Sequence, residues 1–428
     1  MSDVGPDAAV SLRLQRARLA SGAVVDIDCA QAGIVALHAA GAARPAGPGC
    51  ELLDLSGMLV LPAFVEPHAH LDKAYTADSM PNPSGDLAGA IAAWHAAAPE
   101  LTVAEIAGRA RRAVRAYVAN GCVALRTHVA VGPGIGLRAV EALLGVAREV
   151  AHLVDVQVVA HVGHPLVGSG SRQRRLLEDA LELGATLVGG SPHLSEDPVA
   201  ETYACVEIAG EAGVGLDLHT DETLDPAMLT LEVLAKAVCA SGFAGGATAS
   251  HCVSLGMHER AVQARVAEEV AAAGVGVVTL PQTNLYLQAR SSVTAPPRGL
   301  TALAALERAG VVVAAGGDNL QDPFNPLGRA DPLEAASLLV SAGHVGVERA
   351  VGAVTAGARA LLRLPTVEVG AGFPADLVAI GASSLREALA EAPAGRVVVR
   401  AGRVLVDGRR GNGAVGADGA DGAEERWL

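Results

Sequence analysis

Two histidines one residue apart, His68 and His70, close the stretch that begins with the apolar run Met58–Val65 and continues Glu66-Pro67-His68-Ala69-His70-Leu71-Asp72. The run reads as a buried strand. Side chains two apart on a strand share a face, so both imidazoles can aim at one point, as a divalent metal requires of its ligands. Two chance histidines on a loop would look the same over so short a motif, and the rest of the chain has to decide. Other polar residues stand at comparable places, at the ends of short apolar runs. His219 ends Leu216-Asp217-Leu218-His219 and is followed by Thr220-Asp221-Glu222; His251 ends Thr248-Ala249-Ser250-His251; Asp318 ends Ala315-Gly316-Gly317-Asp318 and is followed by Asn319. Any one of these reads equally well as a satisfied polar residue at a strand end. Five of them are harder to dismiss in a chain that has only 13 histidines.

The spacing of the runs says what must hold these residues. Strand ends fall near His70, His128, His161, Ser191, His219, His251, Pro281 and Asp318, and after a first step of 58 residues the others are 28–37 apart. That rhythm is the one βα units produce. Eight ends predict a TIM-type (β/α)8 barrel, whose active-site face lies at the carboxyl ends of its strands. The excess in the first step, residues 71–99, carries Pro81, Pro83 and Gly85 and then an apolar stretch around Ile91–Trp94, and a long insert on that face suits a lid. Between strands, Thr102-Val103-Ala104-Glu105 opens a helix as a capping box and Asn120-Gly121 closes it. Arg109, Arg111, Arg112 and Arg115 within it read as a solvated outer face.

Short strands also flank the barrel. Val10–Leu14, Val24–Ile27 and Ile34–Leu37 lie before it, and Leu377–Ile380, Val397–Arg400 and Val404–Val406 after it. Residues 1–61 and 366–410 are therefore expected to build one small composite β-domain beside a barrel of residues 62–365. Residues 411–428 are rich in Gly, Ala and Asp and read as a flexible tail.

Composition narrows the class. Hydrophobic residues make up 51% of the 428 and aromatics 2%, so the core is built from Ala, Val and Leu. A formal net charge of −14 speaks against nucleic acid and anionic membrane surfaces as partners. No apolar run approaches the ~18 residues of a membrane span. Met1–Pro6 lacks the basic and apolar regions of a signal peptide. Six scattered cysteines without a CxxC suit free thiols in a reducing cytoplasm.

The chain resembles the amidohydrolase superfamily, and within it the cytosine deaminase-like branch. The likeness is carried by Pro-Ala-Phe-Val-Glu-Pro-His-Ala-His-Leu-Asp (62–72), Arg-Thr-His-Val (126–129), Gly-Gly-Ser-Pro-His (189–193), His-Thr-Asp-Glu (219–222), Ala-Ser-His (249–251), Asn-Leu-Tyr-Leu-Gln (284–288) and the run 317–328. Gly-Phe-Pro-Ala-Asp-Leu-Val (372–378) is similar to the return strand of the family's β-domain. The resemblance implies an α/β fold: a distorted TIM (β/α)8 barrel with a small composite β-sandwich domain built from both chain ends.

It also implies His68, His70, His219 and Asp318 as ligands of one divalent metal, zinc or iron, with an open position for water. Metal-bound hydroxide would attack the ring carbon, Asp318 would take the water's proton, Glu222 would shuttle it to the ring nitrogen and the leaving amine, and His251 would stabilise the tetrahedral centre. The end of the fourth strand, Leu187–His193, has no lysine to bridge a second metal. Lys73 is expected to pair with a carboxylate or touch substrate, and His128 and His193 to line or back the cavity.

The substrate-reading positions depart from the pattern. Where cytosine deaminases carry a glutamine after the third strand, this chain has His161-Val162-Gly163-His164-Pro165. Asp318-Asn319 replaces a pair of aspartates, Phe324 a tryptophan and Ala130 an aspartate. His164, Gln288, Asn319 and Phe324 are the expected substrate contacts. The expected activity is hydrolytic deamination of a small cyclic amidine or N-heterocycle other than cytosine, with ammonia released. The alternative is removal of a substituted amine, or opening of a ring amide, at the same site. A catalytically idle barrel would show a damaged ligand set, which this sequence does not. The family's habit of assembling implies a homo-oligomer.

Overall fold

The apolar run ahead of His68 divides between two sheets. In the computed structural model, which describes residues 9–31, 33–43, 45–168 and 171–410, the strand expected over Met58–Val65 breaks at Ala63. Pro62 has no N–H to continue a ladder, and the Ala63 N–H turns to the Asp376 carbonyl at 2.9 Å. The leader segment Met1–Pro6 and the tail 411–428 lie outside the described residues.

The outer sheet takes five strands from the first part of the chain: β1 (Leu12–Arg18), β2 (Val24–Ala30), β3 (Gly33–Ala39), β4 (Glu51–Asp54) and β5 (Leu59–Pro62). Eight strands then form the barrel sheet: β6 (Phe64–Ala69), β7 (Cys122–Val131), β8 (Asp155–Val162), β9 (Leu187–Gly190), β10 (Gly215–Thr220), β11 (Ala247–His251), β12 (Gly276–Thr279) and β13 (Val313–Ala315). The outer sheet is completed by β14 (Leu377–Ile380), β15 (Val397–Arg400) and β16 (Arg403–Asp407). Its order is β16-β15-β14-β5-β1-β2-β3, with β4 beside β1. The antiparallel pair β5–β14, with Leu61 opposite Val378, ties the two ends of the chain together. Leu12, Leu14, Ile27, Ile34, Leu377 and Val397 fill its own small core.

In the barrel every neighbouring pair is parallel and strands follow one another in sequence order. The exception is the closing seam. Between β13 and β6 there is a single bridge, Ala69 with Asp318, made by the His70 N–H to the Asp318 carbonyl (3.2 Å) and the Asp318 N–H to the His68 carbonyl (3.0 Å). The carboxyl ends of the strands enclose a cavity of about 360 Å³ that holds the imidazole and acidic groups. A larger cavity of about 580 Å³ opens at the amino ends, and among the described residues its lining has neither histidine nor acid. No described helix is long and apolar enough to cross a membrane. The six cysteines are free.

The long first insert folds as a turn and a helix, α1 (Leu87–Ala97), whose N-terminus is capped by the Asp86 carboxylate on the Gly89 N–H at 2.8 Å. It leads to α2 (Val103–Ala119), where Thr102 Oγ1 accepts from the Glu105 N–H at 3.3 Å. Buried Ile106, Ala110, Ala113, Val114 and Tyr117 recur at helical spacing on the inner face of α2. Its arginines are not uniformly solvated as expected. Arg112 and Arg115 are exposed, but Arg109 Nη1 donates to the carbonyls of Asp72 and Ala74 (both 2.9 Å), and Arg112 lies 3.7 Å from the Tyr75 ring centroid. The insert packs on this edge of the helix, and its unpaired carbonyls require donors.

Gly121, just past α2, has φ +98°, and a Cβ there would lie 2.8 Å from Val378 Cγ2 and 3.1 Å from Phe64 Cδ2, between the two sheets. Gly213 has φ +67° and open space around it. Gly213→Ala is expected to cost only the left-handed backbone term, about 1–2 kcal/mol. Gly121→Ala should cost about 1–3 kcal/mol more through overpacking. Urea unfolding of the two variants measures the difference.

Candidate active site

At the mouth of the barrel four side chains, from the ends of β6 and β10 and from the seam, converge. His68 Nε2 lies 3.3 Å from His70 Nε2, and His70 Nε2 lies 3.1 Å from His219 Nε2. Asp318 Oδ1 lies 3.5 Å from His68 Nε2 and 3.2 Å from His70 Nε2. All four residues are buried, and neither Asp318 carboxylate oxygen accepts a hydrogen bond. A tetrahedral cation with bonds of about 2.1 Å separates its ligands by about 3.4 Å, close to these four separations, and the donors are of the kind a divalent metal takes; His68 also stands close enough to share an ion with His128 and His219, and with His251 and Asp318. Burial first, and then the neighbouring histidines, push the His68 and His219 imidazoles well below their ordinary pKa; for His70 burial is followed by Lys73. Neutral rings are the ligating form.

Two of the three rings are held from behind, while among the described residues His219 Nδ1 has no hydrogen-bond partner. His70 Nδ1 faces the His128 carbonyl at 3.1 Å, which accepts its proton. His68 Nδ1 faces Ser250 Oγ at 2.9 Å; Ser250 Oγ donates to Asp217 Oδ1 at 2.9 Å; Arg126 Nη1 donates to Asp217 Oδ2 at 2.7 Å. Burial would raise the Asp217 pKa, but His128 and the Arg126 guanidinium outweigh it and hold the carboxylate below its usual range. His128 stacks on His68 with ring centroids 3.8 Å apart. His193 Nδ1 faces the His219 carbonyl at 3.2 Å.

Glu66 braces the seam. Its fully buried carboxyl accepts from the His68 N–H (3.1 Å) and the Gly317 N–H (3.0 Å), joining the first and eighth strand ends. Burial pushes its pKa up to about 8 against the pull of those two N–H groups.

Glu222 and His251 stand beside the cluster. His251 Nε2 is 3.7 Å from Glu222 Oε2, and its Nδ1 faces Asn284 Oδ1 at 2.9 Å. Burial first, and then Asp318, raise the Glu222 pKa well above the ordinary carboxylate range. Asp221, between His219 and Glu222, is spent on structure: its carboxylate accepts from the Thr230 N–H and hydroxyl and the Leu231 N–H, capping the next helix. Asp221, His251 and Asp318 all have positive φ (51°, 71° and 62°). Such backbone costs about 1 kcal/mol or more per residue and collects at functional sites.

The cavity wall opposite the cluster comes from the insert. Leu87, Ile91, Trp94 and His95, one stripe of α1, line it, with Lys73 Nζ 4.6 Å from the Trp94 ring centroid and paired to Asp72 at 3.0 Å. Of the expected substrate contacts, His164, Asn319 and Phe324 line the cavity and Gln288 does not. Gln288 Nε2 donates to the Glu222 carbonyl at 3.2 Å. Both ring nitrogens of His164 are engaged, Nδ1 with Glu201 at 2.7 Å and Nε2 accepting from the Ser191 N–H at 3.1 Å, so the ring offers the cavity only its carbon edge. The Asn319 amide donates to Asp322 at 2.8 Å.

Reading the sequence for chemistry passed over Glu66, Asp217, Ser250, Asn284 and Trp94. A carboxylate inside an apolar strand, at 66 and at 217, was the visible signal for two of them. Nothing local marks the others.

The model for the "Amidohydrolase family" matches residues 51–139 and 83–410. A pterin deaminase of Rhizobium rhizogenes is 33% identical over 82% of this chain and 82% of its own length. The structure of a 5-methylcytosine deaminase from Klebsiella pneumoniae, liganded with 5-fluorocytosine, superposes with a TM-score of 0.82 at 31% identity, covering 93% of this chain and 97% of that one. An N-isopropylammelide isopropylaminohydrolase from Burkholderia multivorans gives 0.79 at 28% identity, covering 93% and 98%.

Glu66→Ala would strand the buried N–H of His68 and the half-buried N–H of Gly317. Each unsatisfied group costs about 1–3 kcal/mol, so a loss of that order or larger is expected in denaturant unfolding of the metal-free protein.

Proposed function

Because the chain belongs to the amidohydrolase family, we propose that it hydrolyses a carbon–nitrogen bond of a small cyclic amidine or related N-heterocycle, releasing ammonia. The observation that carries this reading is the buried convergence of His68, His70, His219 and Asp318 beside Glu222 and His251 in one enclosed cavity. His68, His70, His219 and Asp318 would hold one divalent metal, with zinc and iron among the ions that imidazole and carboxylate donors suit. When bound, such an ion acidifies water so that a nucleophile exists near neutral pH.

The chain's own residues do the rest. Asp318 accepts the proton that the attacking water gives up. Glu222, whose pKa burial raises, gives its proton to the ring nitrogen as the tetrahedral carbon forms; the proton held by Asp318 then passes through Glu222 to the departing amine, and the remaining hydroxyl proton returns to Glu222 as the carbonyl forms. His251, whose Nδ1–H is fixed on Asn284 Oδ1, points Nε2 toward Glu222 as a hydrogen-bond acceptor beside the tetrahedral centre. Water adds, ammonia leaves, and the amidine carbon becomes a carbonyl.

Trp94 and Phe324 give the cavity flat apolar walls suited to a planar ring. At about 360 Å³ it lies in the lower part of the ~300–1,000 Å³ range of small-molecule sites. The replaced substrate-reading positions argue for a ring other than cytosine, and a pterin, the ring in the Rhizobium relative's name, is the first to test. Removal of a substituted amine is the second reading, favoured by the likeness to the isopropylammelide hydrolase. The same residues serve both.

Ammonia release from a panel of pterins, pyrimidines and triazines is the direct test; amine release without ammonia would favour the second reading. Glu222→Gln is expected to keep the fold and the metal while kcat drops by about 10²–10⁴-fold. Unchanged turnover removes Glu222 from proton transfer. His219→Ala is expected to lose stoichiometric metal by elemental analysis.

A further inference from the structure

Arg126, Asp217, Ser250 and His68 come from four different strands of the barrel sheet, β7, β10, β11 and β6, and form one buried chain of hydrogen bonds. We infer that Ser250 and Asp217 are positioning residues that set the ring tautomer of His68, so that its Nε2 faces the metal cluster as a lone pair. The inference rests on the proposed metal reading for its purpose, though not for its geometry.

The direction of each bond follows from what the groups can do. A guanidinium only donates, and Arg126 Nη1 reaches Asp217 Oδ2 at 2.7 Å. A carboxylate only accepts, so the 2.9 Å contact between Asp217 Oδ1 and Ser250 Oγ uses the single proton of the hydroxyl. Ser250 Oγ, its proton committed, can only accept from His68 Nδ1, 2.9 Å away on its other side. The proton of the neutral ring therefore sits on Nδ1, and Nε2, 3.3 Å from His70 Nε2, is left bare. Ser250, Asp217 and His68 are 0% exposed, so no solvent competes for these bonds. His70 reaches the same tautomer by a backbone carbonyl, whereas for His68 the side-chain relay is what does it. Arg126 keeps the relay oriented: its guanidinium is fixed in turn by Gln157 Oε1 (3.0 Å) and the Leu361 carbonyl (2.9 Å).

Two substitutions separate orientation from packing. Ser250→Ala removes the acceptor and leaves the His68 ring free to take either tautomer. Asp217→Asn keeps the volume but reverses the relay. Its oxygen must turn to Arg126, its NH₂ then donates to Ser250 Oγ, and the hydroxyl proton swings to His68 Nδ1, which forces the ring proton onto Nε2.

The test uses the full chain. Zinc affinity is measured by chelator competition for the native protein and both variants. The His68 tautomer is read in the metal-free proteins from long-range ¹H–¹⁵N spectra of ¹⁵N-histidine-labelled samples, and melting of the metal-free proteins reports the fold. The native protein is expected to show the Nδ1–H form of His68. Ser250→Ala should bind zinc about 10–100-fold more weakly, and Asp217→Asn should lose at least as much while displaying the Nε2–H form. Lower melting temperatures with zinc affinity and tautomer unchanged would make the relay a packing feature and overturn the inference. An Nε2–H ring in the native protein would overturn it outright. If the native protein takes up no stoichiometric metal, the functional reading fails, and the tautomer spectra still decide the relay on their own.

Discussion

The structure is organised around one uncomfortable proximity. Three imidazole nitrogens and a carboxylate oxygen are packed within 3.1–3.5 Å of their neighbours at the floor of a buried cavity. Buried polar atoms normally face a partner that satisfies them, yet here lone pairs face lone pairs and a carboxylate. The arrangement persists because much of what lies behind it is bonded, although among the described residues His219 Nδ1 has no hydrogen-bond partner. Glu66 binds two N–H groups across the seam, Ser250 and Asp217 hold the His68 ring, the His128 carbonyl holds the His70 ring, and Asp221 anchors the loop between His219 and Glu222. The rest of the barrel supplies the rigidity that maintains this local frustration.

The two faces of the cavity are built differently, in keeping with different tasks. The cluster sits on strand ends, where ladders fix the backbone and buried bonds fix the His68 and His70 rings. The opposing wall sits on the insert and on the turn after the eighth strand, where Trp94, Lys73, Asn319 and Phe324 are carried by a short helix and loops. Relatives named for a pterin, a methylated pyrimidine and a substituted triazine share the architecture. Chemistry on strands and recognition on loops is how one barrel serves many rings.

Much of this was legible beforehand because the signals were periodic. The two-residue spacing of His68 and His70, and the near-regular recurrence of strand ends, located the barrel and brought His219, His251 and Asp318 to the same mouth. The strand pairs at the two chain termini announced a shared sheet. What escaped had no period. Apolar continuity through Leu59–Val65 concealed a change of sheet, because a buried strand looks the same whichever sheet owns it; Pro62 was the only clue. Gln288 and His164 stood near the site in sequence, but their orientation depends on Glu201, Ser191 and the Glu222 carbonyl, which only the fold brings close. Arg109 looked like a solvent-facing charge until the insert folded over it and presented two carbonyls.

The seam has a consequence for the order of events when the chain is made. Glu66 and the Gly317 amide it grips are 251 residues apart, and among the described residues the bridge of Ala69 with Asp318 is the only backbone ladder contact that closes the ring. A growing polypeptide therefore exposes His68 and His70 long before Asp318 leaves the ribosome, and it cannot assemble the complete pocket until the eighth strand has been translated and has docked. Ring closure and site completion are one event, so a truncated product lacks the oxygen donor that would make its imidazoles a proper trap for a metal ion.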